Sequence, residues 1–189
     1  MNTRTSFLAL LAVTSLALAG CAAAPNASTT ASPFNEADVT FLTDMIPHHA
    51  QALVMVDMTD GRELTPEFAG LTQDIEAAQG PEIDQMSAWL EEWGYDVPDS
   101  DSHMGMMTDD NGMGMMTDDD IDTLGGMMGG GFEDMWMVMM IEHHEGAIDM
   151  SRTELAEGVS TDARDLAERI IAAQEAEIVL MEELLADEG

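Results

Sequence analysis

The chain has 189 residues, of which 38 are Asp or Glu and only five are Arg, with no Lys, so its formal net charge is −33 at pH 7. A protein this acidic repels phosphate groups, which excludes nucleic acid and anionic headgroups as electrostatic partners. A disulfide within one chain is also excluded, because Cys21 is the single cysteine.

The first 33 residues predict export and anchoring. Arg4 precedes an apolar run from Phe7 to Leu18, which is typical of a signal peptide and too short for a permanent bilayer span. Small residues ahead of Cys21 resemble a lipobox, so we expect residues 1–20 to be a lipoprotein signal peptide and Cys21 to carry lipid, such as palmitate. Residues 21–33 then form a flexible tether. The mature protein is expected on the extracytoplasmic face of the cell membrane or outer membrane, anchored without crossing it.

An internal repeat organises the remainder of the chain. A shift of 95 residues superimposes Met45-Ile46-Pro47-His48-His49 on Met140-Ile141-Glu142-His143-His144. Residues 41–94 match the second copy without a gap at 16 positions. Average composition would give roughly three or four identities, so the chain contains a duplication.

Each copy predicts two helices. Apolar and histidine positions recur at intervals of four and three residues, which places them on one helical stripe: Phe41, Met45, His48, Ala52 and Met55 in the first copy, and Trp136, Met140, His143, Ala147 and Met150 in the second. The second helix of each copy places Gln79 and Glu82, or Gln174 and Glu177, on a similar stripe. Two such hairpins bury their stripes against one another, so the predicted fold is all-α, a ferritin-like four-helix bundle with a pseudo-two-fold axis.

Helix-capping and helix-breaking residues set the expected helix boundaries. Asn35 can cap the first helix, Gly61 can end it, and the second runs from Thr65-Pro66 to Gly94. The predicted domain covers residues 34–188, divided into copy one (34–95), a loop (96–131) and copy two (132–188). Pro47 and Pro81 fall inside predicted helices and are expected to kink or break them.

The predicted loop is rich in Met, Gly and Asp, which makes it a poor helix. It carries Met104-Gly105-Met106-Met107-Thr108-Asp109-Asp110 and repeats this order from Met113 to Asp119. Twelve of the 19 methionines lie within residues 104–140, more than gap-filling in a small core requires. A soft-metal site is one interpretation, and a flexible hydrophobic cover for the bundle end is the other.

These motifs together resemble the ferritin-like bacterial proteins catalogued as domain of unknown function 305. The resemblance covers residues 34–188 and rests on four segments: residues 45–49, 113–117, 139–147 and 172–178. It implies an exported helical bundle, with some members linked to copper or silver handling and no settled enzyme activity. This chain departs from the pattern by carrying the methionine motif twice and by Gly80-Pro81 inside the second helix.

The residues themselves indicate a copper site, because imidazole and thioether ligands suit Cu(I) and Ag(I), and imidazole also accepts Cu(II). We expect binding to weaken as the pH falls through the histidine range near 6.5. The candidate ligands are His48, His49, His143, His144, Met45, Met55, Met140, Met150, Glu82 and Glu177, with Met104, Met106, Met107, Met113, Met115 and Met116 as a weaker loop site.

Two further classes of function stay open. In the first, the His and Glu side chains form a metal-free polar network in a cell-surface structural or interaction module. The second, a di-metal oxidoreductase, is disfavoured because the Glu-x-x-His spacing of ferritin-like oxidases is missing from the sequence. No Ser or Cys nucleophile motif is present either. The sequence therefore predicts a non-enzymatic metal-binding lipoprotein.

Overall fold

The computed structural model describes residues 32–99 and 113–187. This part of the chain is all-α and contains five helices: α1 (Glu36–Asp57), α2 (Pro66–Trp93), α3 (Asp118–Gly126), α4 (Gly130–Glu157) and α5 (Thr161–Asp187). No strand occurs in it. The predicted all-α bundle is confirmed. The leader, Cys21 and the first copy of the methionine motif lie outside the described residues.

The helices begin and end at or near the capping and breaking residues expected from the sequence. Asn35 caps α1, accepting hydrogen bonds from the backbone N–H groups of Ala37 and Asp38, while the Asp38 carboxylate accepts one from the Asn35 N–H. This reciprocal arrangement satisfies N–H groups that an α-helix leaves unpaired at its start. At the far end of α2, Gly94 adopts a left-handed conformation with φ +83°, which Gly reaches without a steric penalty.

Two antiparallel hairpins form the bundle. Helix α1 packs on α2, α4 packs on α5, and the contact between α1 and α4 joins the two hairpins. The two expected interior histidines therefore come from the helices that make this joint. Contact between α2 and α5 is slight by comparison.

The buried core consists of two clusters, and equivalent positions of the two copies of the repeat lie in opposite clusters. One contains the C-terminal half of α1 and the N-terminal halves of α2 and α4, including Met55, Ile75 and Met140. The other contains the N-terminal half of α1, the C-terminal halves of α2 and α4 and the N-terminal half of α5. It includes Met45, Met86 and Ile170. Adding or subtracting 95 converts each of these residues into a counterpart in the opposite cluster, for example Met45 into Met140. The pseudo-two-fold axis therefore passes between the clusters.

A polar contact also ties the two hairpins together at one end. The buried carboxylate of Asp38 on α1 accepts hydrogen bonds from the N–H groups of Val159 and Ser160 in the α4–α5 turn, at 3.0 and 2.8 Å. The side chain of Asn35 donates to the Glu157 carbonyl at 2.8 Å. The start of α1 is thus fixed to the turn of the second hairpin.

The expectation of a break at each internal proline is wrong, because helices α1 and α2 continue through Pro47 and Pro81, and the alternative of a kink stays a prediction. A proline removes only one backbone hydrogen bond, and tertiary packing holds the rest of the helix. A second expectation, on the loop, is also wrong in part. The segment predicted as loop contains the nine-residue helix α3. Its start is stabilised by a capping box, in which Thr117 accepts from the Asp120 N–H and the Asp120 carboxylate accepts from Thr117. Three aspartates in the first turn add favourable charge at the helix N-terminus.

None of the described helices is long and apolar enough to cross a membrane.

Candidate functional site

The four paired histidines form one buried layer at the joint between the hairpins. His48 and His49 lie in the middle of α1, and His143 and His144 lie in the middle of α4. All four side chains are at most 1 % exposed. Since the pseudo-two-fold axis passes between the two core clusters, this layer, called here the histidine layer, lies where the axis crosses the bundle.

The outer histidine of each pair is held by a carboxylate from the second helix of its own hairpin. Nε2 of His49 lies 2.9 Å from Oε2 of Glu82, and Nε2 of His144 lies 2.7 Å from Oε2 of Glu177. A carboxylate accepts, so the neutral imidazole carries its proton on Nε2 and leaves a lone pair on Nδ1. This matches the way carboxylates orient metal-binding histidines.

The inner histidines face each other. The imidazole rings of His48 and His143 have centroids 3.7 Å apart with an interplanar angle of 35°. His48 donates from Nε2 to the backbone carbonyl of Met113 at 2.8 Å, which leaves its Nδ1 as a lone-pair donor. Neither ring nitrogen of His143 makes a hydrogen bond of good geometry with the described residues, and a weak backbone hydrogen bond with His48 is the smallest of the influences on its pKa. The predicted approach of these two side chains is therefore observed.

Unpartnered nitrogens are the unusual feature of this layer. Nδ1 of all four histidines is buried without a hydrogen-bond partner in residues 32–99 and 113–187. Leaving a buried polar atom unpaired costs about 1–3 kcal/mol, so native proteins pair most of them or use them functionally. Five such nitrogens in one layer, counting Nε2 of His143, fit a site that holds a ligand.

Burial also keeps the inner imidazoles neutral. Desolvation, reinforced by the neighbouring His49 and His144, lowers the pKa of His48 to about 3. Desolvation and the adjacent His48 hold the pKa of His143 well below its ordinary value. The neutral form is the one that coordinates metal. In the metal-free protein these two imidazoles are therefore neutral well below pH 6.5, and the expected weakening of metal binding near that pH stays a prediction.

The second methionine motif docks on the histidine layer. Its backbone is clamped by Gln51, whose side-chain amide donates to the Met116 carbonyl and accepts from the Met116 N–H at 2.8 and 2.7 Å. Gly146 on α4 allows the close approach, since a Cβ there would lie 1.8 Å from the Met113 carbonyl oxygen. Gly114, at φ +69°, packs against the Glu142 carbonyl in the same way. One copy of the motif thus covers the layer from one side.

The remaining predicted ligands divide into three groups. Met45, Met55 and Met140 are fully buried and pack in the core clusters, and Met150 is partly buried against one of them. Met116 is buried, while Met113 and Met115 are half-buried. Residues Met104, Met106 and Met107 lie outside the described residues, and the metal-ligand role of every residue in the set stays a prediction.

The donor set limits which metals fit. Within the part of the chain that the structure describes, no three side chains of His, Cys, Asp or Glu come together as a metal cluster. Glu82 and Glu177 are engaged as hydrogen-bond acceptors of His49 and His144. Two imidazoles with thioethers nearby suit Cu(I) and Ag(I), which accept few and soft ligands.

Two positioning residues, Gln51 and Gly146, were not predicted from the sequence. Gly146 did carry a signal, because an isolated glycine in a strongly helical segment usually has a packing reason. Gln51 carried none, since a single polar residue beside an apolar stripe is common on helices.

Comparisons with known proteins agree with this architecture. The sequence profile of the family described as Domain of unknown function (DUF305) matches residues 38–185. None of the curated proteins compared with the chain matches it. A DUF305 fragment from Deinococcus radiodurans is 28 % identical, with a TM-score of 0.72, over 82 % of this chain and 99 % of that one. A DUF305 protein from Streptomyces coelicolor, predicted to be secreted, is 33 % identical, with a TM-score of 0.70, over 80 % and 91 %.

A third solved structure contains metal. CopM in its Cu(II)-bound form is 29 % identical, with a TM-score of 0.70, over 80 % of this chain and 97 % of that one. CopM has also been solved in Cu(I)-bound and Ag-bound forms, which match at 27 % and 26 % identity.

Proposed function

The chain belongs to the DUF305 family, and from this premise we propose that it binds Cu(I), Ag(I) or Cu(II) outside the cytoplasm and sequesters or buffers the ion without catalysing a reaction. One observation carries the proposal. The histidine layer contains five buried ring nitrogens without a hydrogen-bond partner among the described residues. A neutral imidazole has a lone pair on only one nitrogen, so four of these nitrogens can act as metal ligands at once.

The proposed ligands come from both hairpins. His48 offers Nδ1, because its Nε2 proton is engaged by Met113, and His143 offers either nitrogen. Met45 and Met140 precede these histidines by three residues, which places each thioether on the same helical face as the imidazole. Imidazole also accepts Cu(II), so the same layer serves both oxidation states of copper. Glu82 and Glu177 orient the outer imidazoles.

Relatives support the choice of metal. CopM, whose chain is matched over almost its full length, has been crystallised with Cu(II), Cu(I) and Ag. Methionine and histidine are also practical ligands in an oxidising compartment, where thiolates would be lost to disulfides.

The proposed location is the extracytoplasmic face of a bacterial membrane. Leu18-Ala19-Gly20-Cys21 is the basis, with lipid on Cys21 and residues 22–33 as the tether. A tethered acidic domain would attract cations to the membrane surface, which suits a protein that intercepts metal ions.

A metal-free interaction module is the second candidate. The observation that favours it is the pair of hydrogen bonds His49–Glu82 and His144–Glu177, which satisfy part of the layer without any metal. The two candidates predict different surroundings for the inner histidines. A purely structural hydrogen-bond network would pair the ring nitrogens of His143, and both are unpaired.

The deciding experiment is a competition titration with a chromophoric Cu(I) chelator. We expect the parent to withdraw Cu(I) tightly from the chelator, and the variant with His48, His49, His143 and His144 all changed to Ala to withdraw one equivalent fewer at the same chelator concentration. His103→Ala, which removes the fifth histidine of the sequence, is the matched control and should bind as the parent does. Circular dichroism checks that the quadruple variant is still helical. Equal Cu(I) binding by the parent and the quadruple variant would leave the metal-free module as the better explanation.

A further inference from the structure

Beside the histidine layer, on the outside of the bundle, lies a separate cavity lined by methionines. It has a volume of about 300 Å³ and lies between the docked motif, α3 and α4. Its lining, called here the methionine cavity, includes four thioethers and two carboxylates: Met115, Met116, Met135, Met139, Asp120 and Glu142. No residue of the histidine layer lines it.

The fold fixes the four thioethers from two directions. Met135 and Met139 are four residues apart on α4, so they share one face of that helix. Met115 and Met116 come from the docked motif, whose backbone is held by the Gln51 clamp and by the close approach of Gly114 to the Glu142 carbonyl. The convergence of the methionines is therefore built into the backbone.

Simple hydrophobic packing does not account for the whole arrangement. Met116 and Met139 are buried and contribute to the core, but Met115 and Met135 are only half-buried at a cavity that opens beside carboxylates. Methionine is a polarisable side chain whose sulfur is a weak acceptor and a soft metal ligand. Half-exposed thioethers around a cavity present those sulfurs to an incoming ion.

The chemistry of the lining selects the class of ligand. Thioethers are neutral and soft, so they favour a soft cation such as Ag(I) or Cu(I) over Mg²⁺, Ca²⁺ or Zn²⁺. Asp120 and Glu142 supply negative charge that attracts a cation and balances it once bound. In the described part of the chain no cluster of three His, Cys, Asp or Glu side chains exists that would hold a harder ion instead.

We propose that the methionine cavity is a second soft-metal site, which binds one Ag(I) or Cu(I) ion through thioethers independently of the histidine layer. This inference rests on the proposed function for its class of ion, but it uses different residues. A thioether site at the outer surface would provide an entry point for ions, with the buried layer as a separate store.

The test is an Ag(I) titration of the purified protein followed by native mass spectrometry and calorimetry, since Ag(I) avoids redox chemistry. The triple variant Met115→Leu, Met135→Leu, Met139→Leu keeps the apolar volume and should bind one equivalent fewer than the parent. A control triple variant, Met58→Leu, Met127→Leu, Met128→Leu, changes methionines that do not line the cavity and should keep that equivalent. An unchanged Ag(I) stoichiometry and affinity in the first triple variant overturns the inference.

A second measurement locates the ion and separates the two sites. In protein labelled with ¹³C at the methionine methyl groups, Ag(I) should shift the NMR signals of Met115, Met135 and Met139, while the signal of Met128, which is 83 % exposed elsewhere, stays in place. The same shifts should persist in His143→Phe, where the histidine layer is altered. Binding at the histidines with no shift of the cavity methionines refutes only this inference, whereas no binding of Ag(I) or Cu(I) anywhere refutes the proposed function as well.

Discussion

The imidazole rings of His48 and His143 lie 3.7 Å apart, although 95 residues separate them in the sequence. The same 95-residue shift relates the two copies of the repeat, so each ring contacts its own duplicate at the pseudo-two-fold axis. The docked methionine motif breaks this symmetry, because it accepts a hydrogen bond from His48 and gives His143 none.

Changing His143 to Phe tests whether this layer is built for a ligand. The substitution keeps an aromatic ring against His48 and removes two buried nitrogens that have no partner among the described residues. Each unpaired nitrogen costs about 1–3 kcal/mol. We therefore expect the metal-free variant to be at least as stable as the parent in urea denaturation and to bind Cu(I) at least tenfold more weakly. A loss of stability with unchanged Cu(I) affinity would instead assign the ring to a structural network.

Gly146→Ala should undock the methionine motif. An added Cβ would lie 1.8 Å from the Met113 carbonyl oxygen and 2.9 Å from the Gly114 nitrogen, and backbone atoms at these distances must move. We expect a loss of roughly 1–3 kcal/mol in the free energy of unfolding, as for other overpacked sites. Hydrogen exchange at the Met116 N–H, which the Gln51 clamp protects, should also become faster.

Gly70→Ala is the matched control for that variant. Gly70 lies in α2 with nothing within 4 Å of the added Cβ. Because Ala has the higher helix propensity, this variant should gain up to about 1 kcal/mol. If both variants are stabilised, the close contact between Gly146 and Met113 is not important for stability.

Glu154 makes the stability of the bundle depend on pH. This carboxyl is almost fully buried beside Asp38, and burial together with that neighbour raises its pKa from 4.5 to about 8, although Arg164 acts in the opposite direction.

The groups around Glu154 are mostly acidic. Burial acts to raise the pKa of Asp38, but hydrogen bonds with the backbone of Asn35, Ser160 and Val159 and with the Glu154 side chain lower it. Glu36, Asp44 and Glu157 line the adjoining cavity and add negative charge.

The direction of the pH effect follows from these shifts. A raised pKa means that Glu154 contributes most stability when it is protonated, below about pH 4.5, and that this contribution is lost as the pH rises towards 8. Glu154→Gln should therefore match the parent near pH 4.5 and exceed it at pH 8 by at least about 1 kcal/mol, or roughly 2–4 °C in Tm. Glu157→Gln, which removes an exposed charge from the same turn, is the control and should show little pH-dependent difference. A Glu154→Gln curve parallel to that of the parent across this range would contradict the assignment.

Cys21→Ser tests the proposed anchor. The lipid would be attached to this side chain alone, so the variant should move from the membrane pellet to the soluble fraction after cell fractionation, with an unchanged melting temperature. A salt wash distinguishes the alternatives, because electrostatic attachment is screened and lipid attachment is not. A Cys21→Ser protein that stays in the pellet after the wash refutes the anchor.

Local periodicity predicted most of the fold. The spacing of Phe41, Met45 and His48 placed the histidines on a buried stripe, and the same spacing in the second copy placed His143 there, both of which the structure confirms. Asn35, Pro66 and Gly94 marked helix ends by rules that depend on nearest neighbours alone. The match to the DUF305 profile confirms the resemblance found in the same motifs.

Contacts between residues far apart in the sequence decided the details of the candidate site. The sequence by itself determined that the chain is a duplicated helical bundle with paired histidines inside, because helix periodicity and repetition are local properties. Only the tertiary structure decided that Met113 pairs with His48 alone and that Met115 and Met135 line one cavity. The pKa of His48 likewise falls to about 3 only through desolvation by its neighbours in space. These properties depend on groups up to 96 residues apart that exclude water together, and no pattern within a single helix specifies which groups those are.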